Sequence, residues 1–328
     1  LTIAAPADDR AIARDLAAEG RAFGDGDLAV AVHAVGDGRV TVRFAYKTAQ
    51  LIGRLGDNGG AIRAKLRGDG ALWRLAARAE GMSCIAHTRW ASHGAINLPN
   101  CHPLNARLEG EVPASLTQDE DIMRALNGDI DNYRALKDQT LEAVGRHLAA
   151  EVTTDAKMVP VLFRLLGEGQ VKPNAPSAER VVGMLRRLDG SMAIILQHPG
   201  EPERLYLGQK GSGQSLFVAR VRDGLIVASE NYGLAPRARA SIALSQVRQG
   251  GVQVTLSTMA GEPDVAGRTV EDGMPAALKA EPIEIFSRDI FRGDFAHFFE
   301  KEVHEAAGSV RKTLTGRYRR SGREATFD

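Results

Sequence analysis

An arginine, three asparagines and three histidines crowd into one stretch, Ser83 to Asn105, which reads S-C-I-A-H-T-R-W-A-S-H-G-A-I-N-L-P-N-C-H-P-L-N. Its first part, Met82 to Ala86, is a short apolar run with the pattern of a strand, and His87-Thr88-Arg89-Trp90-Ala91-Ser92-His93-Gly94 follows directly. A guanidinium just beyond a strand offers two parallel N–H donors in a rigid fork, the geometry that grips a carboxylate. Arg89 is therefore a candidate carboxylate ligand, with a structural ion pair as the alternative. His87, His93 and His102 invite a metal reading. Their spacing on a loop, with no carboxylate or thiolate at ligand distance in sequence, argues against zinc, and no metal is expected.

Two further groups suit amide chemistry. Asn127-Gly128 pairs a side-chain amide with a glycine N–H, two donors able to face a developing oxyanion. Read alone, Asn-Gly is also an ordinary turn dipeptide. Thr154-Asp155 supplies a carboxylate for an ammonium group, or else a helix N-terminal acid favoured by the helix dipole.

Taken together, H-T-R-W-A-S-H-G, the later N-x-H-P at Asn100 to Pro103, and N-G-x-I-x-N-Y-x-x-L-K from Asn127 resemble the glutaminase domain of class II glutamine amidotransferases. Within that group the likeness is greatest to the glutamine:fructose-6-phosphate aminotransferase family. The resemblance implies that Arg89 holds the α-carboxylate of glutamine and Asp155 its α-ammonium. It also implies that Asn127 and Gly128 form the oxyanion hole, while His93 supports the substrate loop and Trp90 covers the pocket. Three departures stand out: Asp129 where an apolar residue is expected, Lys157 where the family has an acid, and Gln214 in a partial G-S-P-L element.

These residues need a scaffold. Asp8 to Gly20, Ala71 to Glu80, Asp119 to Ala125, Asn132 to Leu148 with a break near Lys137, Asp155 to Leu166 and Ala178 to Leu188 have helical patterns. Leu28 to Val35 and Val40 to Ala45 form a hairpin pattern across Gly36-Asp37-Gly38, and five strand-like runs follow from Ser191. Strands, then helices, then strands, without βαβ alternation, predict an α+β fold with antiparallel sheets. The resemblance implies more: the four-layered αββα sandwich of N-terminal-nucleophile hydrolases. Residues 1–256 are expected to be the glutaminase domain, 257–282 a surface connector poor in apolar pattern, and 283–328 a linker with a helix. In the resembled family such a linker leads toward a sugar-isomerase domain.

The family's nucleophile is an N-terminal cysteine whose own α-amine is the base. Counting back from Leu28-Ala29-Val30 places that cysteine a few residues before Leu1, and the family's R-G-x-D-S segment is degraded to Phe23-Gly24-Asp25-Gly26-Asp27. Cys84 and Cys101 are internal and have no free amine; two cysteines also make no disulfide framework and fit a reducing cytoplasm. A net charge of +1 points to no nucleic-acid or acidic-membrane partner, and no apolar run is long enough to span a bilayer. The expected partners are glutamine and an ammonia-accepting synthase or isomerase domain or subunit, in an oligomer, with no cofactor. The expected function is glutamine hydrolysis for transfer of ammonia to an acceptor such as a sugar phosphate. Two alternatives stay open: a non-catalytic glutamine-binding scaffold, and an amidase of the same fold acting on another amide.

Overall fold

The computed structural model describes residues 1–6, 28–35, 38–49, 58–89, 93–111, 119–170, 177–247, 250–258, 263–285, 291–315, 318–321 and 324–327. The predicted helix Asp8 to Gly20, the Phe23 to Asp27 segment and Trp90 lie outside these residues.

Alternation in sequence builds the first layer. Strand β1 (Thr2–Pro6) pairs antiparallel with β3 (Arg39–Tyr46) and with β4 (Gly81–Ser83), and β2 (Leu28–Val35) completes the sheet in the order β2-β3-β1-β4. Along β3, Val40, Val42 and Phe44 form one face, a period of two. They pack on Ala71, Leu72 and Leu75 of α2 (Gly70–Ala76), which follows α1 (Asn58–Gly68). Asp69 caps α2, its Oδ1 accepting from the Ala71 and Leu72 N–H groups at 3.1 Å each. Thr41 and Arg43 occupy the other face of β3 and are also buried.

The second sheet has the order β12-β11-β7-β6-β5, all antiparallel: β5 (Met123–Gly128), β6 (Met192–Gln197), β7 (Arg204–Lys210), β11 (Val252–Ser257) and β12 (Asp264–Thr269). Met192, Ile194 and Leu196 turn to α4 (Met158–Leu165) and α5 (Ser177–Arg187), where Leu162, Met184 and Leu185 close the largest core. A single helix, α3 (Tyr133–Ala143), precedes them, without the break expected at Lys137. Every residue of α4 is buried, Arg164 included, whose guanidinium pairs with Glu111, Glu120 and Glu168. The sheet's other face meets two neighbours. Gln197 faces the first sheet, while Ala193, Leu207 and Val254 pack on Leu216, Val218 and Leu244. Those last residues belong to or flank a third sheet of β8 (Phe217–Val221), β9 (Gly224–Ala228), β10 (Ala240–Ala243) and β13 (Ala280–Pro282). Helix, sheet, sheet, helix is the expected α+β sandwich.

One sequence reading is corrected. Asp119 to Ala125 is not a helix; it enters β5, with Ile122 fully buried. β6 runs along one edge, and Leu104 pairs with Arg124 on the other, at N···O distances of 3.0 and 3.1 Å. Both edges are thus claimed by non-local pairing, which overrides local preference. The stretch after Ser257 contributes two strands to these sheets. β12 pairs with β11 along its length, alternately exposed and half-buried as an edge strand should be, and β13 pairs with β10.

Beyond the sheets come α6 (Phe298–Leu314) and a small hairpin of β14 (Tyr318–Ser321) and β15 (Glu324–Phe327). Among the described residues no helix is long and apolar enough to cross a membrane.

Candidate active site

The two sheets are joined by polar groups. Arg43 donates to Gln197 Oε1 at 2.8 Å, to Gln197 O at 3.0 Å and to Asp121 Oδ2 at 3.2 Å. Thr2 Oγ1 donates to Gln197 Oε1 at 3.0 Å, and His33 Nε2 lies 2.8 Å from Asp121 Oδ2. Burial pushes the Arg43 guanidinium down to about 10, partly opposed by Asp121, so it stays charged near neutrality. A cavity of about 20 Å³ beside it, lined by Leu1, Thr2, Arg43, Ser83 and Gln197, is far smaller than glutamine.

The residues singled out by sequence converge elsewhere, on one cluster of loops. Arg89, half-buried, donates to Ala95 O at 3.1 Å and to His93 O, so its fork braces its own loop. Gly94 has φ +82°, and a Cβ there would lie 2.8 Å from Thr153 C and Thr154 N. Only glycine lets the loop lie so close to that backbone. Asn100, fully buried, fixes the contact from the other side. Its Oδ1 accepts from Thr153 N (2.9 Å) and Thr154 N (3.2 Å), and its Nδ2 donates to Ala95 O, Glu151 O and Thr153 Oγ1. The Arg89 loop is thereby tied to the segment that carries Asp155.

Asp155 is buried at the start of the turn leading into α4; its Oδ2 accepts from Ile130 N at 3.0 Å. That bond brings in the third motif, since Ile130 follows Asn127-Gly128 at the end of β5. Gly128 has φ +117°, and a Cβ would fall 2.1 Å from Ser191 O, so no other residue fits. Asn127 is exposed and donates from Nδ2 to Gln214 Oε1 at 2.6 Å. Arg89, Asp155 and the Asn127-Gly128 segment are thus linked through Asn100 and Ile130, while Gln214 braces Asn127 from outside that cluster. His93 is exposed, and of its atoms the carbonyl is what receives Arg89.

Two of the three departures from the family pattern have a structural role. Gln214 holds the Asn127 amide. Lys157, buried, donates from Nζ to Asn105 O at 2.8 Å and so anchors the loop after N-C-H-P. Asp129 is exposed, and its N–H donates to Ser191 O at 3.2 Å. Asn100 and Gln214 are the positioning residues that sequence reasoning left unassigned. Asn100 did stand inside a flagged motif, whereas no local signal marked the bond from Gln214.

Nucleophilic chemistry is not supplied by the cysteines. Cys84 is exposed, and Cys101 donates weakly to Thr48 O at 3.7 Å, with burial raising its thiol pKa.

Beneath the site, His87 and His102 face each other, Nδ1 to Nδ1 at 3.0 Å. Burial and then the charge of Arg124 depress both, His87 to about 4 and His102 further still. Among the described residues no three side chains are grouped to hold a metal ion. Imidazoles that stay neutral when folded but titrate near 6.5 when unfolded take up protons on unfolding in acid. Stability is expected to be full above about pH 6.5 and to fall as pH drops toward about 4. Thermal melts across this range check it, and the decline should flatten in His87→Asn/His102→Asn.

Arg124 is the odd member. It is fully buried, and none of its three guanidinium nitrogens meets a hydrogen-bond acceptor. Burial pulls it down to about 9, with Asp155 opposing, so it remains charged at neutral pH. A buried charge without hydrogen-bond partners costs several kcal/mol, offset in part by the attraction of the buried Asp155 carboxylate.

No family model matches the chain. Among curated proteins it is similar to glutamine--fructose-6-phosphate aminotransferases [isomerizing]. That of Symbiobacterium thermophilum is 31% identical over 238 residues, 71% of this chain and 33% of the relative. That of Methanosarcina acetivorans is 26% identical over 236 residues, again 71% of this chain and 34% of the relative. A Neisseria meningitidis relative is 25% identical over 275 residues, covering 83% and 40% respectively. The chain spans about a third of the length of the first two. Among solved structures, the glutamine phosphoribosylpyrophosphate amidotransferase of B. subtilis is 14% identical, with a TM-score of 0.43 over 86% of this chain and 48% of that one. On its motifs and on this similarity to curated relatives, the chain carries a class II glutamine amidotransferase-like domain.

Proposed function

We propose that this domain binds glutamine and hydrolyses its side-chain amide to glutamate and ammonia, the ammonia passing to an acceptor in another domain or subunit. The observation that carries the reading is the linkage of Arg89, Asp155 and Asn127-Gly128 through Asn100 and Ile130. Arg89 receives the α-carboxylate by turning its fork from the loop carbonyls, and Asp155 receives the α-ammonium beside its bond to Ile130. Asn127 and Gly128 face the oxygen of the γ-amide. A thiolate attacks the amide carbon, the C–N bond breaks, and ammonia leaves after the nitrogen takes a proton. Water then hydrolyses the thioester and restores the thiol.

The thiol in this account is an N-terminal cysteine preceding Leu1, with its own α-amine as base. The sugar-phosphate acceptor rests on likeness to the curated relatives; the division into glutaminase domain, connector and linker and a cytoplasmic setting rest on the sequence pattern and its two internal cysteines. The test is to treat the natural protein with a glutamine analogue bearing a diazoketone in place of the amide, and to locate the adduct by peptide mass. Label on an N-terminal cysteine is expected. Label on Cys84 or Cys101, or none, overturns the thioester route. Glutamine binding without ammonia release would favour the scaffold reading.

A further inference from the structure

Two buried side chains beneath the candidate site end in polar atoms that no described group meets. Arg124 is fully buried, and its Nε and both Nη atoms have no acceptor among the described residues. His102 is 8% exposed; its Nδ1 faces His87 Nδ1 at 3.0 Å, while its Nε2 is enclosed without a partner. One pairing sets the two side by side. Leu104 and Arg124 exchange backbone bonds of 3.0 and 3.1 Å, which lays the His102 loop along β5. The charge of Arg124 is second only to burial in keeping the His102 imidazole neutral.

Charge and donor inventory say what belongs between them. A guanidinium is all donors, with no acceptor atom. Asp155 offsets part of its charge, yet the Asp155 oxygens receive Ile130 N at 3.0 Å and Thr154 Oγ1 at 3.4 Å and reach none of the Arg124 nitrogens. Arg89 and Lys47 add positive charge on the His102 side. Water satisfies hydrogen bonds in such a place and leaves the charge excess standing. A divalent oxyanion carries a larger desolvation cost and overshoots the charge. We propose that Arg124 and His102 form a buried binding site for one small monovalent anion of the halide class, held by guanidinium N–H groups and by His102 Nε2–H. The anion selects one tautomer of the histidine pair, in which His87 Nδ1–H donates to His102 Nδ1. His102 shares its loop with Asn100, which ties the Arg89 loop to the Asp155 segment. An anion across Arg124 and His102 fastens that loop to β5.

Thermal melts of the natural protein at neutral pH and constant ionic strength, with chloride replacing gluconate, test it. The melting temperature should rise along a saturating curve, as it does for a ligand of the folded state. Bromide should act as chloride does, and sulfate should not. In Arg124→Met the half-saturating chloride concentration should rise about tenfold or more. Arg124→Lys, which keeps the charge and loses the fork, should fall between the two. Diffraction from bromide-soaked crystals of the unsubstituted protein needs no variant: one anomalous peak within bonding distance of Arg124 and His102 Nε2 is expected. Equal melting temperatures in chloride and gluconate overturn the proposal. So does density for water alone beside Arg124, or a chloride effect that Arg124→Met leaves unchanged, which would mean an adventitious ion only. Glutamine plays no part in these readouts, so their failure is separate from failure of the proposed function.

Discussion

Replacing Asn127 with alanine is expected to lower kcat for glutamine hydrolysis by about 10²–10³-fold, with KM changed little. The reason is where the donor acts. A carbonyl oxygen gains charge as the tetrahedral intermediate forms, and a prepositioned N–H gains strength with it, so removing the donor costs about 3–4 kcal/mol in the transition state and less in the ground state. Asn127 is held for this by Gln214, whose Oε1 takes one amide N–H at 2.6 Å and leaves the other free to point outward. Its neighbour Gly128 is fixed against Ser191 O, where no side chain fits. Steady-state kinetics of Asn127→Ala decide the matter; equal losses in kcat and in binding would mean that Asn127 is a ground-state ligand. Gln214→Ala should show a smaller fall of the same kind, because it removes the brace and not the donor.

The largest expected loss of stability is at Arg43. Arg43→Ala is expected to destabilise the fold by about 3–5 kcal/mol, as breaking a buried ion pair does, because Asp121 is left with a buried charge and only His33 against it. Gln197 loses two bonds in the same step, and Thr2 loses the orientation of its acceptor. These groups are the polar contact between the two sheets, so the cost should appear in global unfolding and not in local fraying. Chemical denaturation checks this. Replacing Arg43 and Asp121 together with apolar residues should recover much of the loss, because both charges then leave the interior. A double variant as unstable as Arg43→Ala would contradict that account.

Much of this architecture was legible in sequence, and the reason is local. Val40, Val42 and Phe44 alternate along β3, and the runs around Asp155 to Leu166 and Ala178 to Leu188 hold helical period; both patterns follow from burying one face. Two segments owe their structure to distant partners. Asp119 to Ala125 looks helical until Leu104 and β6 claim its edges. The strand Asp264–Thr269 carries little apolar signal because it is an edge strand recruited by β11. The site divides the same way. Arg89, Asp155 and Asn127-Gly128 stood out through residue type and motif. Asn100 and Gln214 act across separations of 51–54 and 87 residues, and no local pattern encodes those bonds. The unpartnered guanidinium of Arg124 was likewise invisible, since its burial follows from the register of Leu104 against β5.

The most direct measurement of the central claim is a calorimetric titration of the protein with L-glutamine, repeated on Arg89→Ala. Binding by the unsubstituted protein, weakened at least tenfold by Arg89→Ala, is the predicted result, since a fork on a carboxylate is a charge-assisted pair of hydrogen bonds worth more than 1.4 kcal/mol. Equal affinity in the two proteins would contradict the assignment of Arg89 to the α-carboxylate, and no binding in either would contradict the glutamine site itself.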